Sequence, residues 1–140
     1  MNQKRVIVTT AVIIVAILLA AVAVGYAGLP QAPGEIELSA TEFDFGTIPN
    51  TGPVSRVLQV HNAGEGPLAI SGVSTSCGCT TAEVGAQQLA AGESTDLTVT
   101  YDPLAHDGAT GEFMRLVYIR SDDPDTPEAN LTVRVTVVEP

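Results

Sequence analysis

The feature that most constrains this chain is an apolar run near its N-terminus. Val6 to Val24 form 19 consecutive residues without a charge, and Lys4 and Arg5 precede them. As a helix rising about 1.5 Å per residue, a run of this length nearly spans a hydrocarbon core of roughly 30 Å. We therefore predict a transmembrane signal-anchor helix over residues 6–25, with residues 1–5 in the cytoplasm and the lipid bilayer as a partner.

The charges on either side of the run predict its orientation. Basic residues stay on the cytoplasmic side, and the chain beyond residue 24 carries all 16 acidic residues against four arginines. This balance predicts a single-pass protein of the cell membrane whose C-terminal domain lies outside the cytoplasm. A cleaved signal peptide, ending near Ala21-Val22-Ala23 or Gly25-Tyr26-Ala27, is the alternative, and it also exports residues 35–140. Nucleic acid is excluded as a partner because no basic stripe is present.

Beyond a Pro- and Gly-rich linker over residues 26–34, the hydrophobic period changes to two. Short β-branched segments are separated by Gly, Pro, Asn and Asp, and we expect strands over residues 36–48, 54–61, 68–73, 80–84, 95–101, 112–120 and 130–138. Seven short strands with short connections predict an all-β, seven-stranded antiparallel sandwich over residues 35–140. The expected core is Phe43 or Phe45, Leu58, Val60, Ile70, Leu97, Val99, Tyr101, Val117, Ile119, Leu131, Val133 and Val135.

The turns between these segments give two further expectations. Asn62 and Gly64 are typical of a turn that needs left-handed backbone conformations. Asp122, Asp123 and Asp125 are acidic like a calcium loop, but they lack the glycine and the distal glutamate of an EF-hand, which favours a solvated turn.

Cys77-Gly78-Cys79 is the one group of residues in the sequence that could bind a metal or carry out redox chemistry. Two cysteines in an exported domain favour a disulfide or a thiol pair with a structural role. A Cu(I) site is an alternative, because two thiolates suit a soft ion, with His61 and His106 as the other possible ligands. A redox-active pair is the third reading, although the sequence shows no helix start or neighbouring cation to activate a thiol. We expect no bound cofactor unless Cu(I) occupies Cys77 and Cys79.

Several motifs, in a fixed order, carry a family resemblance. They are Phe43-Asp-Phe45-Gly46, Asn62-Ala-Gly64, Ser76-Cys77-Gly78-Cys79-Thr80 and Ala91-Gly92-Glu93. Together they resemble the bacterial domain of unknown function family 1573, which is similar to HYDIN-type and ASH immunoglobulin-like domains. The resemblance implies an exported immunoglobulin-like domain without an assigned activity.

These observations predict a membrane-anchored, extracytoplasmic immunoglobulin-like module that binds another protein and is not an enzyme. The alternative is a thiol-redox or copper-handling domain in which Cys77 and Cys79 are the working groups.

The membrane anchor can be tested by N-terminal sequencing of the protein extracted from membranes. An uncleaved helix over residues 6–25 predicts that the sequence begins ahead of Val6. A mature chain that begins between Val22 and Gly28 would instead show a cleaved signal peptide and a soluble exported domain.

Overall fold

The computed structural model describes residues 13–17 and 31–140. Residues 13–17 are helical, and Ala32–Pro140 form a compact unit of their own. Within these two described ranges, no helix has the length and apolar content that crossing a membrane requires. The predicted transmembrane helix over residues 6–25 and the linker over residues 26–34 lie largely outside the described residues.

Residues 31–140 form two β-sheets that enclose an aliphatic core. The nine strands of this range, in chain order, are β1 (Ile36–Leu38), β2 (Glu42–Pro49), β3 (Val54–Asn62), β4 (Leu68–Thr75), β5 (Thr80–Val84), β6 (Gln88–Leu89), β7 (Ser94–Tyr101), β8 (Gly111–Ser121) and β9 (Glu128–Val138). One sheet has the order β1-β3-β7-β5, and the other has the order β2-β9-β8-β4-β6. A short 3₁₀ helix over Pro103–His106 follows β7.

The all-β prediction is confirmed, but the segment predicted as one strand over residues 36–48 is two strands in different sheets. The N–H of Ser39 still donates to Gln59 O of β3 at 2.9 Å, whereas Thr41 O accepts the N–H of Thr132 in β9 at 2.9 Å. The chain therefore crosses between the sheets within three residues. The apolar positions change phase at the crossing, from Ile36, Leu38 and Ala40 to Phe43 and Phe45. A β-bulge within one strand produces the same change, so the sequence pattern did not distinguish the two.

The strand directions also differ from the antiparallel prediction, because β2 and β9 run parallel. The prediction rests on the short connections between sequence neighbours. That argument does not apply to β2 and β9, because they are separated in the sequence by most of the domain. The additional strand β6 has only two residues, so no alternation could mark it, yet its Leu89 is buried.

The core follows the predicted alternation closely. Along β9, every second side chain from Ala129 to Val137 is buried, and the residues between them face outward or lie at the margin. Of the predicted core, Leu58, Phe43 and Phe45 are half-buried and pack against the cluster, and the remainder is buried. Both phenylalanines contribute, with ring centroids 4.9 Å apart.

Asn62 is fully buried at the end of β3, where its side-chain amide joins several backbone segments. Its Oδ1 accepts the N–H groups of Glu35 at 3.1 Å and Gly64 at 3.0 Å. Its Nδ2 donates to the carbonyls of Gly66 at 2.8 Å and of Leu89 and Ala90 at 3.1 Å each. The amide thus satisfies backbone groups that would otherwise be buried without partners.

The predicted left-handed conformation of Asn62 and Gly64 is wrong, since neither residue has a positive φ. Asn62 is required for its amide rather than for its backbone. Gly64 is required for space, because a Cβ there would lie 2.6 Å from both Glu35 N and Pro33 O.

Asp123 is likewise not part of a solvated turn, since only 2% of its surface is exposed. Its Oδ2 accepts the N–H of Ile36 in β1 at 2.9 Å, and its Oδ1 accepts those of Asp125 at 2.8 Å and Thr126 at 3.1 Å. Burial opposes the charge and raises the pKa of Asp123, but these three donors outweigh it and hold the pKa below the ordinary 3.8. The carboxylate therefore anchors β1 to the β8–β9 turn.

We expect Asp123→Ala to lower the free energy of unfolding by about 2 to 4 kcal/mol, because it leaves three N–H groups without their charged acceptor. Urea denaturation of the full-length protein measures this loss. Asp125→Ala removes the same charge from an exposed residue of the same turn and should change stability by less than about 0.5 kcal/mol. Equal effects of the two substitutions would contradict the anchoring role.

The same carboxylate predicts a dependence on pH. A group whose pKa is lower in the folded than in the unfolded state stabilises the fold above its unfolded pKa and loses that contribution as the pH falls through the folded pKa. Stability measured between about pH 5 and pH 2 should therefore fall more steeply in the wild-type protein than in Asp123→Asn. Parallel curves would contradict this assignment.

Candidate functional site

Cys77, Gly78 and Cys79 lie in the connection between β4 and β5, which crosses from one sheet to the other. Ser76 fixes the start of this connection on β8, because its N–H donates to Leu116 O at 2.9 Å and its Oγ accepts the N–H of Leu116 at 2.9 Å. The hydroxyl of Thr75 lies within hydrogen-bond distance of two carbonyls, Cys77 O at 2.9 Å and Thr80 O at 2.7 Å. The connection is thus held at both ends.

Cys77 and Cys79 form a disulfide with a Cα–Cα distance of 5.4 Å. The two cysteines differ in their environments: Cys77 is half-buried, whereas Cys79 is only 1% exposed and belongs to a cluster with Ile48, Tyr101 and Val137. The N–H of Cys79 points at the Cys77 sulfur, 3.2 Å away. Cys77 packs against this cluster from its margin, so the bridge joins a partly exposed cysteine to a buried one.

Arg115 of β8 contacts the buried end of this bridge. Its Nε lies 3.1 Å from the Cys79 sulfur, and its Nη1 donates to Met114 O at 2.9 Å. Its guanidinium carbon is 5.0 Å from the centroid of the Phe113 ring. The expectation that no cation neighbours the cysteines is therefore wrong.

The sequence contains a signal that could have found Arg115. Along β8 the inward-facing positions are 113, 115, 117 and 119, and three of them hold Phe113, Val117 and Ile119. A charged residue at an inward position of a strand needs a partner. That partner comes from a loop 36 residues earlier in the chain, which a pattern local to β8 cannot supply.

The remaining surroundings of the bridge are hydroxyl and aromatic groups. Thr80 Oγ1 is 3.7 Å from the Cys79 sulfur and 3.9 Å from the Cys77 sulfur. Burial raises the pKa of the Tyr101 hydroxyl, the positive charge of Arg115 partly offsets this rise, and Asp102 adds to it. The charge of Arg115 therefore also acts on the Tyr101 hydroxyl.

The strand edges next to the bridge enclose an opening. At the two ends of β5, Cys79 O accepts the N–H of Asp102 at 2.8 Å and Gly85 N donates to Asp96 O at 2.9 Å, so the odd-numbered residues of the strand direct their backbone groups toward β7. Because this direction alternates along a strand, Ala82 and Val84 direct theirs outward. The described part of the chain offers no strand there to pair with them.

β4 presents a second edge on the same side of the sandwich. Its neighbour β6 pairs only with Leu68 and Ala69. Further along, Ser76 bonds to Leu116, so by alternation the backbone groups of Val73 and Thr75 point away from β8. We name the opening of about 300 Å³ between these edges the β4–β5 slot; its lining is Val73, Ser74, Thr75, Thr80, Thr81, Ala82 and Glu83.

The structure does not bring His61, one of the two histidines considered as ligands, to the cysteines. The imidazole Nδ1 of His61 is 2.9 Å from Ser94 Oγ. Ser94 and Tyr101 stand at opposite ends of β7, roughly 24 Å apart at the rise of an extended strand, and the cysteine loop adjoins Tyr101. The side chain of His106 is not among those described. Among the residues that are described, no three His, Cys, Asp or Glu side chains converge as a metal site, and Cu(I) at Cys77 and Cys79 stays a prediction.

Two sheets in this arrangement define an immunoglobulin-like, PapD-like sandwich. The chain belongs to the family described as a protein of unknown function, DUF1573, whose model matches residues 36–137. The predicted family and immunoglobulin-like fold are thereby confirmed. Among curated protein sequences, none matches this chain.

Solved structures share this fold. A protein of unknown function from Porphyromonas gingivalis is 26% identical, with a TM-score of 0.68 over 79% of this chain and 50% of its own. The chain thus spans half the length of that relative. The ASH/PapD-like domain 7 of human CEP192 is 11% identical, with a TM-score of 0.60 over 81% and 92%. The E. coli chaperone DraB is 14% identical, with a TM-score of 0.53 over 76% and 56%.

A double Cys77→Ser, Cys79→Ser variant should keep the fold and lose about 1 to 3 kcal/mol of unfolding free energy, because a bridge across one residue restrains little of the unfolded chain. Chemical denaturation with circular dichroism measures the change. Loss of the folded state in this variant would show that the bridge is essential to the sandwich.

Proposed function

We propose that this chain is a membrane-anchored, extracytoplasmic interaction module that binds an extended segment of another protein in the β4–β5 slot, without catalysis. The observation that carries the proposal is the pair of open strand edges on one side of the sandwich, Val73–Thr75 in β4 and Ala82–Val84 in β5. The apolar run behind Lys4 and Arg5 supports the anchor and the orientation.

An unpaired strand edge is a template for another strand. The outward N–H and C=O groups of Ala82 and Val84 offer four backbone hydrogen bonds, and a partner strand that accepts them would extend the sheet. Backbone pairing supplies affinity, while side chains that enter the slot supply selectivity. The slot has Val73 and Ala82 as apolar contacts, so small apolar side chains at alternate positions of the partner fit it best.

Charge supports a basic or neutral partner segment. Glu83 lines the slot, and the 16 acidic residues of the domain outnumber its four arginines. Two of those arginines are already paired with carboxylates, Arg120 with Glu128 at 2.9 Å and Arg134 with Glu42 at 2.6 Å. An acidic segment would therefore be repelled, whereas a lysine or arginine next to Glu83 would be attracted.

Thiol chemistry at Cys77 and Cys79 is the second candidate function. The specific observation in its favour is the Arg115 Nε that lies 3.1 Å from the Cys79 sulfur. This candidate uses the loop at the end of the slot and is compatible with binding in the slot itself.

The slot can be tested with Ala82→Pro and its control Ala82→Val. Proline removes the outward N–H of residue 82 and leaves the bonds to β7 intact, because the groups that pair with β7 belong to the odd-numbered residues. Peptides are first selected from a displayed random library on the full-length protein in detergent. Their affinity should fall at least about tenfold for Ala82→Pro and remain within about twofold for Ala82→Val.

Thermal denaturation confirms that both variants are folded. Equal binding to the two variants would overturn the slot as the binding site, as would a library that yields no peptide enriched over an unrelated domain. Selected peptides rich in acidic residues would overturn the charge argument.

A further inference from the structure

We infer that the Cys77–Cys79 bridge is a reducible disulfide that takes an electron pair from a dithiol, with Cys77 as the sulfur attacked and Arg115 holding the Cys79 thiolate that leaves. The inference does not depend on the binding proposed for the β4–β5 slot. It rests on the difference in burial between the two sulfurs and on the position of a cation at one of them.

The direction of attack follows from access. An incoming thiolate approaches a disulfide along the sulfur–sulfur axis, so it needs an open path to one of the two sulfurs. Cys79 is 1% exposed and packed among Ile48, Tyr101 and Val135, whereas Cys77 is half-buried in a loop whose next residue, Gly78, is exposed. Cys77, which packs against this cluster only from its margin, is therefore the more accessible cysteine, and attack at Cys79 is blocked by the core.

The leaving group is the sulfur that the cation contacts. Arg115 carries a permanent positive charge, and in the oxidised protein its Nε faces a neutral sulfur, which is a weak acceptor. Among the described residues, no carboxylate lies within 4.0 Å of its guanidinium. The two salt bridges in this part of the chain are formed by Arg120 and Arg134. Reduction places a thiolate at this position and gives the charge the anionic partner that it lacks in the oxidised state.

This arrangement favours reduction, because interactions that stabilise only the reduced state raise the reduction potential of a disulfide. Thr80 Oγ1, which is 3.7 Å from the Cys79 sulfur, is a second group able to donate to the thiolate. The contacts of the guanidinium with the Phe113 ring and with Met114 O hold Arg115 in place, so little reorganisation is needed when the charge develops.

The exchange balances in two steps. One thiolate of the dithiol bonds to the Cys77 sulfur, the Cys77–Cys79 bond breaks, and its electron pair stays on the Cys79 sulfur beside Arg115. The second thiolate of the same dithiol then attacks the donor sulfur that is bonded to Cys77. This closes the donor's disulfide and releases the Cys77 thiolate. The dithiol is oxidised by two electrons, the protein bridge is reduced by two, and the donor's two protons pass to solvent or to the protein thiols.

The test uses the full-length protein in detergent and dithiothreitol as the dithiol. The reduced fraction is measured by thiol labelling across ratios of reduced to oxidised dithiothreitol, for the wild type, Arg115→Gln and Arg115→Lys. We expect the equilibrium constant for reduction to fall about 10- to 100-fold in Arg115→Gln, the value of one charge-assisted hydrogen bond, and less in Arg115→Lys. Arg120→Gln, on the same strand but paired with Glu128 at the surface, should match the wild type.

Two further readouts separate this role from a structural one. The ultraviolet absorbance of the thiolate in the reduced protein should appear at lower pH in the wild type than in Arg115→Gln. With oxidised glutathione as the probe, Cys79→Ser should form a mixed disulfide at Cys77, releasing one reduced glutathione, at least tenfold faster than Cys77→Ser forms one at Cys79. If Arg115→Gln does not fold, the comparison of Arg115→Lys with the wild type and the glutathione rates still decide the inference.

Three results would overturn the inference. The first is a bridge that is reduced only when the protein unfolds. The second is an equal equilibrium constant in Arg115→Gln and the wild type. The third is a mixed disulfide that forms on Cys79 as fast as on Cys77. Peptide binding in the slot can fail without altering any of these measurements.

Discussion

One end of the sandwich depends on two buried polar side chains, Asn62 and Asp123, whose hydrogen bonds fix where the chain enters the fold. Aliphatic cores tolerate small changes in packing, but a buried backbone group without a partner costs free energy in every alternative arrangement. The Asn62 amide holds the segment before β1, and the Asp123 carboxylate holds the N–H of Ile36. With β1 fixed in this way, the crossing to β2 starts from a defined position.

The other end of the sandwich carries the chemistry. The Cys77–Cys79 loop and the guanidinium of Arg115 lie beside the end of β7 that holds Tyr101, one strand length from Asn62, and the open edge of β5 faces the middle of β7. Because the two ends are separate, the reduction proposed for the bridge would take place away from the hydrogen bonds of Asn62 and Asp123. The loop adjoins the slot through Thr75 and Thr80, so the proposed reduction and the proposed strand binding would act on neighbouring backbone groups.

Much of the fold could be predicted from the sequence because β-sandwiches bury alternate side chains. The strands over 54–61, 95–101 and 130–138 and the inward positions of β9 follow from that period alone. The crossing after Ser39, the parallel pairing of β2 with β9 and the burial of Asp123 could not be predicted, because each depends on residues far apart in the chain. The same holds for the site: Cys77 and Cys79 stand out in the sequence, whereas Arg115 becomes their neighbour only after β4 and β8 pair.

The position of β9 has a consequence for how the domain is made. It is the last strand in the sequence, yet it lies in the interior of its sheet, between β2 and β8, and its inward side chains complete the core. A chain that emerges from a ribosome or a translocation channel therefore has the strands of the β1-β3-β7-β5 sheet, but it cannot join β2 to β8 until residues 128–138 are free. Folding must wait for the final segment, and until then the open flanks of β2 and β8 are exposed to chaperones, proteases and other nascent chains.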